Sequence, residues 1–429
     1  MSDSYIFPNE ILQIIFNLCD VYTLYQLTMV CKQFHNVACD TLNKKSQHLF
    51  LSITNQKSKK FGERCEPVLS SYNSVFITNY NWIYAEYKKS NIYKAEKTTC
   101  YMAKKCLQMT KNTVWYCNSD NVFAYNRAKD GTIKKDEKIV GNNYTFITSI
   151  ALCDDYIISG DLNGNIKHWR IESEKDGRNN LKCSEIELND VNTHIEHIDA
   201  NDVNKYTEHI DATSQHIITA SKNLIKLLKY TDDKTGCTKK NEIYCGVGEE
   251  GFENDSRVKS ISFDPIGTKF AAGCYSYNEH LSSFLIYDIE KSDLVMDKNC
   301  EGLFRQLLWE DPHTVLMCFD QSIKKMDMRV SDYVRTWNSS QYEYSFCCSS
   351  NNMYTFMTGH FVCVLWDQRQ SVAIQNYDVA NHDKYSIISS LEFDSAHMYA
   401  VTHNCLYELD FMGRHFDYKK IKKLFGNFY

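Results

Sequence analysis

The feature that most constrains the fold of this 429-residue chain is a two-strand unit that recurs beyond about residue 70. Each copy has an apolar run, a short polar turn and a second run that often ends in an aromatic residue and Asp, as in a β-hairpin. Clear copies are YIISGDLNGNIKHW, TVLMCFDQSIKKMD and YTFMTGHFVCVLWD. The Asn163-Gly164 pair is the strongest turn signal, since both residues accept the positive φ of a tight hairpin turn. The sequence therefore predicts a mainly β fold built from repeated hairpins.

The spacing between the copies predicts the size of the repeating unit. The second strands of the hairpins begin near Ile92, Val122, Ile166, Ile225, Phe284, Ile323, Val362 and Leu406. Their average spacing of about 45 residues resembles the period of WD repeats, in which four strands form each blade of a propeller. The resemblance implies a WD-repeat β-propeller of eight blades, or of seven because the first gap is short.

The motifs of the WD-repeat family are partly degenerate in this chain. The best match is LWDQR, and weaker echoes end at Asp288, Asp327 and Asp410. The family's Gly-His pair before the first strand is missing, and Gly359-His360 falls in a hairpin turn instead. A two-sheet sandwich is the alternative, but it would not explain the spacing. Two segments are candidates for the strand that closes the ring, Leu49 to Ile53 and His415 to Tyr418, and the sequence does not decide between them.

Two longer gaps between hairpins are predicted to contain loops. Asn189 to Ala200 and Asn201 to Ala212 share nine of twelve residues, which indicates a tandem duplication. One copy can supply an inner strand through its HIDA segment while the other lengthens a loop at little thermodynamic cost. The second gap, from Thr231 to Asp255, is polar and contains glycine, and we expect a loop there as well.

The first forty residues have a helical pattern instead. Pro8 can occupy the first helical position, and Asn9 and Glu10 place polar and negative groups at the positive end of the helix. Apolar residues then follow two stripes at helical spacing, and two more short helices are predicted after them. A unit of this size generally cannot close a stable core alone, so its surplus apolar residues predict docking onto another protein.

The segment FPNEILQIIFNLCDVYTLYQLTMVCKQF resembles the F-box, the helical motif that binds the SKP adaptor of SCF-type cullin ubiquitin ligases. One departure is Phe7, where the family prefers Leu. The resemblance implies an adaptor-binding set of Pro8, Glu10, Ile11, Leu12, Ile15, Phe16, Leu18, Leu24, Leu27, Val30, Cys31 and Phe34. The alternative is a helical cap packed on the chain's own second domain. Solvent exposure of Ile11, Ile15 and Leu18 would favour the adaptor-binding interpretation.

Charge and hydropathy exclude several classes of partner. The net charge is −6 and the basic residues are scattered, so we expect no nucleic-acid partner. No apolar run approaches the roughly 18 residues of a membrane helix, and no leader-like segment opens the sequence, so we expect no membrane partner. The expectation is a soluble, cytoplasmic protein, with the nucleus left open by the basic segment from Lys419 to Lys423.

The eighteen cysteines are interpreted as reduced, small apolar residues. There is no Cys-x-x-Cys motif, and burial is predicted for Cys117, Cys274, Cys318, Cys347, Cys348 and Cys363. Three histidines lie in the duplicated segment, where the duplication explains their recurrence and no cysteine accompanies them: His194, His197 and His209. We therefore expect no metal and no cofactor.

Sequence motifs for hydrolase, nucleotide-binding and metalloprotease sites are absent, so we expect no catalysis. The combination of an F-box with a propeller resembles the F-box/WD-repeat family of substrate receptors of SCF ubiquitin ligases, and the degenerate repeats and the GRHFDY segment resemble its dactylin branch. This resemblance implies that the F-box reaches cullin and RING subunits through the SKP adaptor, while the propeller binds an unknown protein target.

In relatives, inner-strand and turn cations can bind phosphorylated targets, and the matching positions are Lys222, Lys259 and Arg305. Whether the target is phosphorylated is left open.

Two other functions are left open by the sequence. Trp366 to Arg369 resembles the Trp-Asp-x-Arg motif by which some WD-repeat receptors bind the cullin-4 adaptor, although we expect Arg369 to hold the end of a strand. The other alternative is a scaffold with no role in ubiquitination. The predicted organisation is an F-box over residues 5–47, a linker over 48–73 and a propeller over 74–429.

Overall fold

The computed structural model describes residues 7–19, 21–49, 72–94, 105–153, 156–173, 179–188, 207–231, 236–245, 256–277, 280–338, 347–350, 355–379, 386–402 and 405–413. Within these ranges, helices lead into seven β-sheets. The innermost strand of each sheet contacts the innermost strands of the two neighbouring sheets, so the sheets form a closed ring. This confirms a mainly β propeller preceded by helices, with the lower of the two predicted blade numbers.

The N-terminal unit consists of helices α1 (Asn9–Leu18), α2 (Val21–Leu27) and α3 (Lys32–Leu49). Pro8 precedes α1 rather than starting it, with φ −54° and ψ 148°. Its carbonyl accepts hydrogen bonds from the amides of Ile11 and Leu12, both at 3.1 Å, which satisfies two amides of the first turn. Helix α3 has 18 residues, so the prediction of two short following helices is correct only for α2.

These three helices share one small core. Its buried residues are Leu12, Phe16, Leu24, Val37, Ala38 and Leu42. The rings of Phe16 and Phe34 meet edge to face at 5.3 Å, and Leu27 packs against the same cluster. The core therefore buries only one of the two apolar stripes of α1, the one with Leu12 and Phe16.

A fourth helix and a single strand connect this unit to the ring. They are α4 (Tyr72–Tyr84) and β1 (Lys88–Lys94). Blade 1 contains β2 (Leu107–Met109), β3 (Thr113–Asn118), β4 (Asn121–Arg127) and β5 (Ile133–Asn142). Blade 2 contains β6 (Ile147–Cys153), β7 (Tyr156–Asp161), β8 (Ile166–Ser173) and β9 (Asn179–Glu185).

Blade 3 has an additional edge strand. It contains β10 (Glu187–Leu188), β11 (His209–Ala212), β12 (His216–Ser221), β13 (Leu224–Tyr230) and β14 (Gly236–Tyr244), and β10 pairs in parallel with β14. Blade 4 contains β15 (Ser256–Phe263), β16 (Lys269–Ser276), β17 (Leu281–Asp288) and β18 (Asp293–Cys300). Blade 5 contains β19 (Phe304–Asp311), β20 (Thr314–Phe319), β21 (Ser322–Asp327) and β22 (Asp332–Asn338).

The last two blades lead back to the start of the ring. Blade 6 contains β23 (Cys347–Ser350), β24 (Thr355–Gly359), β25 (Cys363–Asp367) and β26 (Ala373–Tyr377). Blade 7 contains β27 (Ile388–Phe393), β28 (His397–Thr402) and β29 (Cys405–Asp410), with β1 as its outer strand. The four main strands of each blade are antiparallel. The connections between second and third strands and between blades therefore lie on one face, called the upper face here, and the other turns lie on the lower face.

Strand β1 closes the ring. It pairs antiparallel with β29, from Lys88 opposite Asp410 to Lys94 opposite Cys405. The prediction that Ile92 starts the second strand of a first hairpin is therefore wrong, which removes the eighth blade. Of the two segments considered for closure, Leu49 ends α3, and residues 50–53 and 415–418 lie outside the described residues. The sequence does not show that β1 is an outer strand, because such a strand is half exposed and needs few apolar residues.

The duplicated segment behaves as predicted in its second copy, where HIDA forms β11, the inner strand of blade 3. The first copy, residues 189–200, lies outside the described residues. The prediction of a loop from Thr231 to Asp255 is wrong in part, because β14 runs through it. Cys237 is fully buried there while Lys239 and Lys240 are exposed, so this outer strand has the mixed composition that resembles a loop.

The hydrophobic core lies between adjacent blades, and the second strands are buried on both faces. Strand β20, for example, is buried at every position, which explains its continuous apolar run. The six cysteines expected to be buried are all at most 5% exposed. Gly164 takes the positive φ of its turn, at 82°, whereas Asn163 does not. Among the described residues, no helix is long and apolar enough to cross a membrane.

Candidate functional site

An exposed apolar surface lies on α1 and the turn between α2 and α3. We call it the adaptor face and define it by Phe7, Ile11, Ile14, Ile15, Leu18, Met29 and Val30. Leu18 is 86% exposed, and Ile11 and Ile15 are 42% and 43% exposed. The apolar stripe of Ile11, Ile15 and Leu18 thus faces solvent, while the stripe of Leu12 and Phe16 fills the core of the helical unit. This is the arrangement that favours adaptor binding over a cap packed on the propeller.

The structure divides the predicted adaptor-binding residues into two groups. Buried or partly buried in the helical core are Leu12, Phe16, Leu24, Leu27 and Phe34. On the surface are Pro8, Glu10, Ile11, Ile15, Leu18, Val30 and Cys31. The first group holds the helices that present the second. Direct contact of either group with an adaptor stays a prediction.

Three members of the adaptor face lie outside the predicted adaptor-binding set: Phe7, which was noted only as a departure from the family pattern, Ile14 and Met29. Ile14 is 61% exposed and Met29 is 59% exposed. Ile14 lies three residues after Ile11 and four before Leu18, so helical spacing alone places it on their face. Met29 precedes Val30 in the turn, where helical periodicity gives no signal.

A side chain at the start of α3 fixes the adaptor face. The Gln33 amide donates hydrogen bonds to the Phe7 carbonyl and to Asn9 Oδ1, both at 2.9 Å. This joins the start of α3 to the start of α1, and so brings the turn with Met29 and Val30 close to α1. The surface is therefore built by local contacts within the helical unit.

Helix α4 connects the helical unit to the lower face of blade 7. It contacts α3 at one side, and its Trp82 indole donates a hydrogen bond to the Ser395 carbonyl at 3.0 Å on the other. The Asn81 amide donates to the carbonyls of Phe411 and Gly413, at 2.7 and 2.9 Å. Ser395 lies in the turn from β27 to β28, and Phe411 follows β29, so both belong to the lower face. The predicted domain boundary at residue 73 falls inside this helix.

The upper end of the central channel contains two of the predicted target-binding cations. The channel encloses about 410 Å³, and Lys259 and Arg305 are among the residues that line it. Each lies at a β-bulge near the upper end of an inner strand, Lys259 in β15 and Arg305 in β19. A bulged residue is left out of strand pairing and can be redirected, which suits side chains that serve a binding surface.

The third predicted cation, Lys222, lies in the upper turn between β12 and β13, with a positive φ of 49°. Its carbonyl accepts a hydrogen bond from the Val258 amide at 2.6 Å, which attaches this turn to the strand that carries Lys259. The structure therefore brings Lys222, Lys259 and Arg305 onto the upper face in three consecutive blades, 3 to 5.

Two residues of this region were not predicted. Lys259 Nζ donates a hydrogen bond to the Tyr277 hydroxyl at 2.5 Å and lies 4.6 Å from its ring centroid. The Arg257 guanidinium lies 5.8 Å from the same centroid. No sequence periodicity marks Tyr277, because it sits in a turn. We call the five residues Lys222, Arg257, Lys259, Tyr277 and Arg305 the target face.

Deeper in the channel, a cation is already engaged by a carboxylate. Lys105 Nζ lies 3.3 Å from Asp211 Oδ1. Asp211 Oδ2 also accepts hydrogen bonds from the Ser262 hydroxyl at 3.0 Å and the Phe263 amide at 2.8 Å. Asp211 thus joins inner strands of blades 3 and 4 to the start of blade 1, and its role is structural.

The Trp366 to Arg369 segment is held within its own blade. Trp366 is 3% exposed, and Arg369 Nε lies 3.0 Å from Asp367 Oδ1. Burial acts to raise the pKa of Asp367, but hydrogen bonds from Arg369 and Gln370 outweigh it and lower the pKa. The contact agrees with the expectation that Arg369 holds the end of a strand.

The described residues contain no group of three or more His, Cys, Asp or Glu side chains that could hold a metal ion. His209 lies in β11 and is 6% exposed. His194 and His197 lie outside the described residues.

Comparison with known proteins agrees with this architecture. A family model described as F-box-like matches residues 7–46. The chain thus combines an F-box-like domain with a seven-bladed propeller, the combination expected from the sequence.

The chain is 25% identical over 170 residues to F-box/WD repeat-containing protein 4 of Mus musculus, and equally to that of Homo sapiens. The matched part is 37% of this chain and 41% of each relative, so the match spans about two-fifths of their length. The dactylin type is F-box/WD-repeat protein 4, so the resemblance expected from the sequence is to these same relatives.

Two solved structures share the fold. One is a chain of the mitotic checkpoint complex, with a TM-score of 0.52 and 12% identity, covering 75% of this chain and 90% of that one. The other is Raptor of Chaetomium thermophilum, with a TM-score of 0.52 and 11% identity, covering 91% of this chain and 38% of that one. At such identities the likeness concerns the fold alone.

Proposed function

We propose that this chain is the substrate-recognition subunit of an SCF-type cullin-RING ubiquitin ligase. Helices α1 to α3 bind the SKP adaptor and, through it, the cullin and RING subunits, while the propeller binds a target protein. The chain positions the target and does not catalyse transfer. The observation that carries the proposal is the adaptor face, an exposed apolar surface beside a helical core that is already closed.

The energetics favour a partner on this surface. Burial of apolar area contributes roughly 25 cal/mol per Å², and Leu18, Ile14 and Val30 are each more than 60% exposed. The helical core does not need these side chains, because Leu12, Phe16 and Leu24 fill it. A partner that covers the face would therefore gain apolar burial without reorganising the helices.

The arrangement of the two faces supports simultaneous binding. Helix α4 attaches the helical unit to the lower face of blade 7, whereas the target face lies on the upper face of blades 3 to 5. A target on the upper face would not compete with an adaptor bound below. This is the geometry that a bridging receptor requires.

A pull-down with the purified SKP adaptor tests the proposal. We expect the wild-type chain to capture it and the Val30→Asp and Leu18→Asp variants to lose capture, because a charge at an apolar contact is costly to bury. Val330→Asp is the matched control, since Val30 and Val330 are both 62% exposed and Val330 lies in a lower turn of blade 5. Absence of capture by the folded wild-type chain would overturn the proposal.

The same experiment distinguishes the alternatives. With the cullin-4 adaptor as a second bait, capture by that adaptor alone would favour a cullin-4 receptor. Binding to neither adaptor would leave a scaffold. The substitutions Leu12→Asp and Phe16→Asp are unsuitable here, because both residues are 2% exposed and their loss would unfold the helices.

For the propeller, we propose that the target face binds an anionic segment of the target, with phosphate as the preferred group. Lys259 and Arg305 line the channel at equivalent bulges, and charge-assisted hydrogen bonds to phosphate are strong. A peptide array with phosphoserine, glutamate and alanine at one position tests this. We expect phosphopeptide binding that Arg305→Ala weakens and Arg335→Ala, in the outer strand β22, does not. Equal binding of the alanine peptides would contradict the proposal.

A further inference from the structure

Tyr277 occupies an unusual place on the target face. It is the first residue after β16, in the upper connection to β17, and it is 42% exposed. Its hydroxyl accepts a hydrogen bond from Lys259 at 2.5 Å, and Lys259 and Arg257 both lie near its ring. A half-exposed tyrosine thus directs its hydroxyl at a cation that lines the channel.

We propose that Tyr277 is a phosphorylation site, and that the phosphate, held by Lys259 and Arg257, occupies the target face in place of the target. The regulatory consequence rests on the proposed function of this face, whereas the site itself does not. Phosphorylation here would be an autoinhibitory modification, since the chain would supply its own anion.

The distances support direct pairing. The Tyr277 oxygen lies 2.5 Å from Lys259 Nζ, so a phosphate bonded to that oxygen would start next to the ammonium. Phosphotyrosine carries about −1.5 to −2 charges near pH 7 and presents three further acceptor oxygens. Rotation about the ester bond brings these oxygens next to the ammonium, and the guanidinium of Arg257 is on the same ring. Two cations therefore offset the charge of one phosphate.

The chemical step needs a separate enzyme and a nucleoside triphosphate. The Tyr277 oxygen attacks the γ-phosphorus of ATP in a protein-tyrosine kinase, an O–P bond forms, and the bond to the ADP oxygen breaks. ADP leaves and the phenolic proton is released. Solvent exposure of Tyr277 and its position in a turn give a kinase access to the hydroxyl.

The modification would act on one face only. Neutralising Lys259 and Arg257 removes attraction for an anionic target and adds repulsion at the mouth of the channel. The adaptor face is on the helical unit, which α4 attaches to the opposite face of the ring. The modified chain would therefore still occupy an adaptor while releasing its target.

Phosphorylation of the full chain in vitro tests the site. The chain is incubated with Mg-ATP and a purified tyrosine-kinase catalytic domain, and the products are mapped by mass spectrometry. Tyr144, which is 86% exposed, is the reference acceptor. We expect phosphate on Tyr277 as well as on Tyr144, and its loss in Tyr277→Phe. Modification of Tyr144 without Tyr277 would overturn the proposal.

A ³¹P NMR titration tests the pairing. The free phosphotyrosine monoanion loses its proton near pH 6. Because two cations stabilise the dianion, we expect the Tyr277 phosphate to titrate at lower pH than the Tyr144 phosphate, and to move to the Tyr144 value in the Arg257→Gln/Lys259→Gln variant. The Tyr144 signal reports whether that variant is folded. Identical titration of both phosphates in the wild type would overturn the proposal.

Neither readout involves the adaptor or a target. A negative result would therefore remove the phosphorylation site and leave the proposed receptor function intact. Failure of adaptor capture would instead overturn the proposed receptor function and leave the phosphorylation site intact.

Discussion

The indole of Trp82 lies nearly parallel to the ring of Phe411, with 3.6 Å between their centroids and 14° between their planes. Trp82 belongs to α4, and Phe411 follows the last strand of the propeller, so two segments far apart in sequence meet at this contact. The indole is 1% exposed and also packs near Tyr377 and Phe393. The helices are thereby anchored to the blade that closes the ring.

Replacing Trp82 with Ala should destabilise this anchor. We expect a loss of about 3–5 kcal/mol in the free energy of unfolding, because a fully buried aromatic side chain and its hydrogen bond are removed. Urea unfolding followed by circular dichroism measures it. Tyr84→Ala, in the same helix but at a position 41% exposed, should change stability by about 0.5 kcal/mol or less. Equal effects of the two variants would show that the indole is not the anchor.

Leu12 and Leu18 should separate stability from adaptor binding. Leu12 is 2% exposed in the helical core, so Leu12→Ala should destabilise α1 to α3 by about 2–5 kcal/mol. Leu18 is 86% exposed, so Leu18→Ala should leave stability within about 0.5 kcal/mol and weaken adaptor capture instead. Hydrogen exchange of the α1 amides and an adaptor pull-down measure the two effects. Loss of helix protection in Leu18→Ala would be inconsistent with this division.

A buried ion pair joins blade 7 to blade 1. The side chains of Arg127 and Asp394 are both fully buried and hydrogen-bonded to each other. Burial acts to raise the pKa of Asp394, but Arg127, His397 and backbone amides outweigh it and lower the pKa to about 2. Because this folded-state pKa lies below the ordinary value, the carboxylate contributes stability above about pH 4 that is lost as the pH falls towards 2.

Asp394→Asn should therefore destabilise the protein at pH 7 by about 3–5 kcal/mol, since it leaves the Arg127 charge buried without its partner. The variant should also lose part of the acid dependence between pH 4 and 2. Asp327 is the matched control: its pKa is also lowered to about 2, by hydrogen bonds from Arg329, but the pair is at the surface. We expect little change in Asp327→Asn. Thermal melts from pH 2 to 8 compare the variants.

His397 adds a dependence of the opposite sign. Burial acts to lower the pKa of His397, but Asp394, Asp410 and Glu408 outweigh it and raise the pKa. A raised pKa means that the protonated form is stabilising: the contribution is complete below about pH 6.5 and is lost as the pH rises through the folded-state pKa. His397→Gln should therefore be most destabilising below about pH 6. A difference that grows with rising pH would contradict this.

Gly273 should tolerate no side chain. It lies in β16, and a Cβ at this position would overlap the ring of Phe304, which is fully buried at the start of β19. We expect Gly273→Ala to cost about 1–3 kcal/mol by overpacking. The double variant with Phe304→Leu should cost less than the sum of the two single variants, because the smaller side chain makes room. Additive thermal shifts would show that the two positions are not coupled.

The sequence predicted the ring better than its edges. Second strands such as β20 are buried on both sides, so their apolar runs stood out. Seven of the eight predicted hairpins agree with third strands from β4 to β29. The outer strands are half exposed, so their composition resembles that of loops. The sequence analysis interpreted β14 as a loop, and it placed β1 in a first hairpin instead of at the edge of blade 7. The blade number followed from the same error, since Ile92 lies in β1.

The functional surfaces were predictable to different degrees. Helical periodicity marked both apolar stripes of α1, but which stripe is covered depends on the packing of α2 and α3, which a single helix pattern does not determine. Lys259 and Arg305 could be placed from the repeat because their positions recur between blades. Tyr277 could not, because its role depends on contacts across a turn rather than on spacing.

Pairing of β1 with β29 also bears on how the protein is made. Lys94 and Cys405 are partners 311 positions apart, so a ribosome that adds about 5–20 residues per second finishes the second strand on the order of 15–60 s after the first. During that interval β1 is an open edge that can pair with other chains. A product cut short before residue 405 would carry intact α1 to α3 on a ring that cannot close, so it would occupy adaptors while unable to present a properly folded propeller.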